Sequence, residues 1–215
     1  MPALFASLAP LRARLAQLEV VFVDSASSDD SVAIARAACD CIVRMPADDR
    51  ACAALNRYWG TQCCAGNYIL YLDGDMQLEA DFVAPLVALL EAAWPDGLVG
   101  DYTDVYDDGG ERPKALGRRL RAGPTSHFGG AVVLRRAAVL AAGNWNPGLF
   151  AWEEIELYSR LRARGARVDY CAVPMVRHHT PRVTRSARLR GCLSPRVAGV
   201  GAKFYGFGQL LAARR

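Results

Sequence analysis

An α/β domain on a largely parallel sheet is the fold class this sequence predicts, and three observations predict it. Short runs of branched and aromatic residues alternate with amphipathic stretches along the chain. Apolar residues make up 52% of the 215, ample for one core. Two of the apolar runs end in aspartates, Asp24 in one and Asp73 with Asp75 in the other, where open α/β sheets gather their ligands.

The elements follow in order. The opening MPALFASLAPLRARLAQL has small apolar residues and arginines but no cleavage site after a long apolar core, so it predicts an amphipathic helix rather than a targeting signal. Leu18 to Asp24, LEVVFVD, predicts a buried strand, and SASSDDSVAIARAA supplies Ser and Asp to start the helix after it. Ile42 to Met45 predicts a short strand, Arg50 to Cys64 a helix, and Tyr68 to Leu72 a strand. Glu79 to Trp94 predicts a helix stopped by Pro95. Leu98 to Tyr102 predicts a strand, and DDGGERP, Asp107 to Pro113, a loop punctuated by Gly-Gly and Pro. Phe128 to Arg135 predicts a strand and Ala137 to Ala142 a short helix. Trp152 to Arg164 predicts a longer helix ended by Gly165, and Val168 to Val173 the last strand. There is no internal repeat and no low-complexity linker.

Composition bounds the function. Seven cysteines, an odd number without zinc-type CxxC spacing, predict reduced thiols and a cytoplasmic protein. No apolar run approaches the roughly 20 residues of a spanning helix. Residues 177–215 hold nine basic and no acidic side chains, leaving 17 basic against 22 acidic in the rest. An acidic body, residues 1–180, is therefore expected to carry a cationic tail, residues 181–215. Such a tail suits diphosphates or anionic lipid. Its end, AKFYGFGQLLAARR, fits a segment lying on a bilayer, so peripheral contact with the inner face of an anionic membrane is expected. Nothing resembles an RNA-binding aromatic motif or a DNA-reading module, so nucleic acid is not an expected partner.

The chemistry concentrates in YLDGDM. Residues two apart on a strand point the same way, so Asp73 and Asp75 face one point, with Gly74 letting the backbone approach a ligand. Two such carboxylates repel unless a cation lies between them, and Mg²⁺ or Mn²⁺ bridging to a diphosphate is the common solution. A second carboxylate group lies in WEEIELYSRLRARG. At about 100° per residue Glu154 falls among Leu157, Tyr158 and Leu161 on the inward stripe, Glu153 is intermediate, and Glu156 with Arg160 forms a solvated pair on the opposite face. A glutamate on an apolar face suits a general base. His178 and His179 end a strand-like segment, where one could complete a metal site begun by the aspartates and the other touch a phosphate.

In this order VVFVDSASSDDS, RACAALN, YLDGDM, FGGAVVLRRAAVLAAGNWN and WEEIELYSRLRARG resemble a GT-A type family 2 glycosyltransferase, from about Leu18 to Thr180. The resemblance implies a Rossmann-like, mostly parallel sheet with helices on both faces, lacking the family's first strand. It implies a nucleotide-diphosphate sugar donor, with Asp24 on the base, Arg50 near the base or phosphates, Asp73 on the ribose or metal, and Gly130 in the donor neighbourhood. Asp75 would hold Mg²⁺ or Mn²⁺ with His178 or His179. Glu154, or Glu153 beside it, would be the base of an inverting transfer, to a saccharide, a lipid-linked sugar or a small-molecule acceptor such as those of cell-envelope polysaccharide synthesis. Two alternatives stand: a noncatalytic or truncated nucleotide-sugar-binding module, and a haloacid-dehalogenase-like phosphatase. The latter also needs a downstream lysine, and the chain offers only Lys114 and Lys203.

Overall fold

The computed structural model describes residues 1–47, 51–114 and 122–182. The opening amphipathic stretch forms two short helices, α1 (Pro2–Ser7) and α2 (Ala9–Arg14), each with a proline in its first turn, where the missing N–H costs nothing. They bury Leu4, Leu8 and Leu11. The alternation continues with β1 (Val21–Asp24), α3 (Ser31–Arg36), β2 (Cys41–Arg44), α4 (Ala53–Cys63), β3 (Tyr68–Tyr71) and β4 (Met76–Leu78). A single 3₁₀ turn leads into α5 (Val83–Ala92). Then come β5 (Gly97–Tyr106), β6 (Glu111–Lys114), β7 (Gly123–Pro124), β8 (Val132–Arg135), α6 (Arg136–Ala141), α7 (Glu153–Ala163) and β9 (Val168–Thr180).

Among the described residues the strands form two sheets. β1 and β2 pair in parallel by themselves. A seven-stranded mixed sheet runs β3–β8–β5–β9–β4, with β6 beside β5 and β7 beside β9. Its β5–β9 pair is parallel, whereas β3–β8, β5–β8, β4–β9, β5–β6 and β7–β9 are antiparallel. Along β5–β9 the register slips twice: Val99 stands opposite Tyr170, Asp101 opposite Pro174 and Tyr102 opposite Val176. Such bulges re-aim the residues that follow them.

Three of the differences from expectation stand out. β9 runs seven residues past Val173, because β4 and β5 flank it and take up the backbone groups of Arg177, His178 and His179 whatever their side chains. Asp107 to Pro113 is a hairpin rather than an open loop. Gly109 adopts φ +78°, Tyr106 donates to the Gly110 carbonyl, and Glu111 starts a strand. The three residues of β4 follow Asp75 directly and were too short to read as an element.

One core joins the large sheet to its helices. Phe82, Val99, Val132, Val139, Trp145, Leu157 and Met175 are almost completely buried in it. Among the described residues no helix is long and apolar enough to cross a membrane. Six cysteines, Cys39, Cys41, Cys52, Cys63, Cys64 and Cys171, are free thiols; Cys192 lies outside the described residues, as does the tail from residue 183.

Candidate active site

The site is organised by a residue the motifs did not single out. Helix α4 starts at Ala53, capped by the Cys52 sulfur, which accepts the Leu55 N–H at 3.4 Å. Its next turn presents Asn56, whose Oδ1 accepts from the Ser25 hydroxyl at 2.8 Å, and Arg57. Arg57 is 8% exposed and its guanidinium meets three carboxylates. Nη2 donates to Asp73 Oδ1 at 2.8 Å, Nη1 donates to Glu153 Oε1 at 2.8 Å, and Glu154 Oε1 lies 3.7 Å from Nη1. The same cation sits 5.1 Å from the centroid of the buried Trp145 ring, a favourable cation–π distance. Arg57 thereby ties the end of β3 to the first turn of α7.

This arrangement divides the roles of the two glutamates. Glu153 is buried and engaged by Arg57 at hydrogen-bond distance. Glu154 keeps 23% of its side chain exposed and is not so engaged. Burial, then the neighbouring Glu153 charge, push its carboxyl up to about 7, with Arg57 opposing them. Glu156 departs from expectation. It pairs with Arg160 at 2.6 Å, but it is buried rather than solvated, because Arg160 is held over the end of α6 by the Ala142 carbonyl.

Gly130 explains the glycine pair before β8. A Cβ built there would stand 2.8 Å from both Arg57 Nη2 and Asp73 Oδ2. The next residue, Ala131, is pinned by Tyr102, whose hydroxyl donates to its carbonyl and accepts its N–H. Gly130→Ala is therefore expected to part the Arg57–Asp73 pair. Thermal unfolding should show a loss of about 1–3 kcal/mol, and an unchanged transition would mean the loop gives way freely.

Asp24 is 1% exposed at the end of β1. Its Oδ1 accepts the Ser27 N–H at 3.2 Å, while Oδ2 accepts no hydrogen bond and lies 3.7 Å from Arg44 Nε. A buried carboxylate oxygen in that condition suits a ligand donor. Arg50 lies outside the described residues.

The aspartates of YLDGDM go separate ways. Asp73 takes Arg57, and Asp75 takes His178, with Oδ2 to Nε2 at 3.3 Å. The other ring nitrogen of His178 bonds Asp104 Oδ1 at 2.9 Å. His179 turns its ring to Gln77, 2.8 Å away, and its N–H donates to the Asp75 carbonyl. Among the described residues no three His, Cys, Asp or Glu side chains already form a metal cage. The donor chemistry nonetheless fits a divalent ion. Asp75 offers an oxygen on a half-exposed side chain, and His178 offers a nitrogen whose opposite face is braced by a carboxylate, as in many metal-bound histidines.

A family model described as glycosyl transferase family 2 matches residues 3–145. No curated protein matches the chain. Among solved structures, S. aureus TarS residues 1–349 aligns at 16% identity and TM-score 0.69 over 82% of this chain and 56% of that one. The same TarS segment in complex with UDP-GlcNAc aligns at 15% identity and TM-score 0.69, over 84% and 55%. GalNAc-T7 with UDP, GalNAc and Mn²⁺ aligns at 18% identity and TM-score 0.58, over 75% and 38%. The chain thus spans little more than half of the TarS segments, and the likeness to these structures is one of fold.

Proposed function

The chain belongs to glycosyl transferase family 2, and from that premise we propose that it moves a sugar from a nucleotide-diphosphate donor to an acceptor hydroxyl, with inversion at the anomeric carbon. The carrying observation is the partly open Glu154 carboxylate, held beside a buried guanidinium that also grips Asp73; burial and the Glu153 charge push it up to about 7. A carboxylate poised near neutrality takes the acceptor proton as the new bond forms, and one such base suffices for a single displacement. Asp24, through its Oδ2, receives an N–H of the base, and Asp73 and Gly130 border the ribose and sugar. Asp75 and His178 would hold Mg²⁺ or Mn²⁺, which neutralises the departing diphosphate when bound. The nucleotide in the TarS complex and the Mn²⁺ in the GalNAc-T7 structure support this reading of donor and metal.

Binding is the direct test. A donor at 100 times its Kd stabilises the chain by about 2.7 kcal/mol, so nucleotide sugars should be screened by thermal shift with and without Mn²⁺. Asp75→Ala is expected to remove the Mn²⁺-dependent part of the shift. A donor shift equal with and without Mn²⁺ in the parent chain counts against the metal role.

Family membership stands against the phosphatase alternative. A noncatalytic nucleotide-sugar-binding module remains the second reading, favoured by the edges of β1 and β3 that pair with no further strand among the described residues. Sugar release from the donor in the presence of Mn²⁺ separates it from an enzyme. The cationic residues beyond 182 support a cytoplasmic location with peripheral contact to anionic lipid, which vesicle co-sedimentation would read.

A further inference from the structure

Trp145, between α6 and α7, is a buried ring that its own polar atom does not fix. It is 0% exposed, and its Nε1 reaches no acceptor at hydrogen-bond distance among the described residues. Other side chains hold the ring instead. Tyr71 and Phe128 meet it in T-shaped contacts with centroids 5.2 and 6.4 Å away, and the Arg57 guanidinium stands over it at 5.1 Å.

These contacts close a circuit that begins and ends on Arg57. Its guanidinium meets the Trp145 ring, Trp145 meets Tyr71, and the Tyr71 hydroxyl lies 2.7 Å from Thr61 Oγ1. Thr61 donates its one hydroxyl hydrogen to the Arg57 carbonyl at 2.7 Å, so Tyr71 is the donor to Thr61. A second tie runs through the main chain. Asn144, in the left-handed region at φ +63°, accepts the Trp145 N–H on Oδ1 at 2.8 Å. Its Nδ2 donates at 3.1 Å to the carbonyl of Tyr58, the neighbour of Arg57. Asparagine tolerates that conformation better than most side chains. Ring and backbone of Trp145 are therefore both fixed to the turn of α4 that carries Arg57.

The carboxylates by themselves do not settle where the guanidinium goes. Nη1 lies 2.8 Å from Glu153 and 3.7 Å from Glu154, so a swing of roughly 1 Å would exchange its partner. An arginine bonded to Glu154 would occupy an oxygen that a general base needs and would favour its charged form. A third restraint has to choose between the two acids. A ring face attracts a cation most strongly where water is excluded, and that attraction does not depend on which acid accepts the N–H. We propose that Trp145 is a positioning residue for transfer, whose ring holds the Arg57 guanidinium on Glu153 and Asp73 and off Glu154, keeping that carboxylate open to the acceptor proton. The proposal rests on the reading of Glu154 as the base.

The test compares Trp145→Met, which removes the ring face and keeps an apolar filling, with Trp145→Phe, which keeps a face and loses the N–H. Both open space in the core, so both are expected to lower Tm, by roughly 4–12 °C. Only the methionine variant should release Arg57. NMR of the ¹⁵N-labelled full chain reads this without any substrate: a guanidinium bonded to different acids at Nη1 and Nη2 shows separate Nη signals, and one that rotates shows a single averaged signal. Separate signals are expected in the parent and in Trp145→Phe, and an averaged one in Trp145→Met. With UDP-N-acetylglucosamine and Mn²⁺ as the probe, sugar release by Trp145→Met should fall roughly 10–100-fold at a donor Kd within about twofold, and Trp145→Phe should recover it to within about threefold. Separate Nη signals in Trp145→Met, or turnover that falls alike in both variants in step with Tm, overturn the proposal. No sugar release from the parent counts against the reaction proposed above, and the Nη signals then decide the hold of Trp145 on Arg57 by themselves. Should Trp145→Met fail to fold, Thr61→Val opens the circuit at nearly equal volume; an averaged signal there supports the proposal and separate signals overturn it.

Discussion

Arg57→Met is expected to cost about 3–5 kcal/mol of stability, a fall in Tm of roughly 6–20 °C for a chain of this size, and to abolish transfer. The side chain it removes is the cation that Asp73, Glu153 and Glu154 share, and desolvation alone would have driven that cation toward neutrality had the three charges not raised its pKa above the ordinary value. Methionine keeps much of the apolar stem against Trp145 but leaves three carboxylates crowded together, with Glu153 buried and Glu154 and Asp73 partly exposed. Their protonation relieves the crowding, so the penalty should shrink as pH falls from 8 to 5, and thermal unfolding at both values reads it. A penalty that does not change with pH would mean that packing, not charge, is what Arg57 supplies. Arg57→Lys should recover little, since one ammonium cannot reach the carboxylates at the ends of β3 and α7 as a forked guanidinium does.

Glu154→Gln should lower kcat by about 10²–10⁴-fold while leaving donor affinity within twofold. Because burial and Glu153 raise the Glu154 carboxyl to about 7, the base is protonated below that pH, and kcat in the parent chain should climb as pH rises through about 7. The stability effect runs the other way. A carboxyl raised by folding favours the folded state fully below its unfolded value near 4.5, and that advantage fades as pH rises through about 7. Glu154→Gln should therefore flatten this part of the pH–stability curve. Initial rates and chemical denaturation across pH 5–8 check both limbs. Turnover retained in the glutamine variant would transfer the role of base to Glu153, at odds with its short bond to Arg57.

The large features were legible because they are written in composition. The apolar run before Asp73 and the acidic first turn of α7 each announce burial beside charge, and both proved to border one site. Arg57 was not legible. It stands mid-helix in LNRYWG, where a lone arginine reads as a surface residue, and its importance arises only when β3 and α7 bring their carboxylates to it. A charge count offered the one available signal: buried acids at two separate motifs require a cation between them. Periodicity likewise put Glu156 in solvent, because the phase of a helix cannot report a neighbour such as α6 packed over its far side. His178 and His179 read alike in the sequence, and only strand register distinguishes them.

That register has a history inside the sheet. Between Val99 and Tyr102, β9 uses three more residues than β5, since partners that begin 71 numbers apart finish 74 apart. Three is odd, and on a pleated ribbon odd counts exchange front for back. His178 owes its place beside Asp104 and Asp75 to that surplus. Loss of one residue from the stretch between Tyr170 and Met175, with the three-residue surplus kept, would slide His179 opposite Asp104 instead, so a deletion remote from the acids would rewrite which histidine serves them.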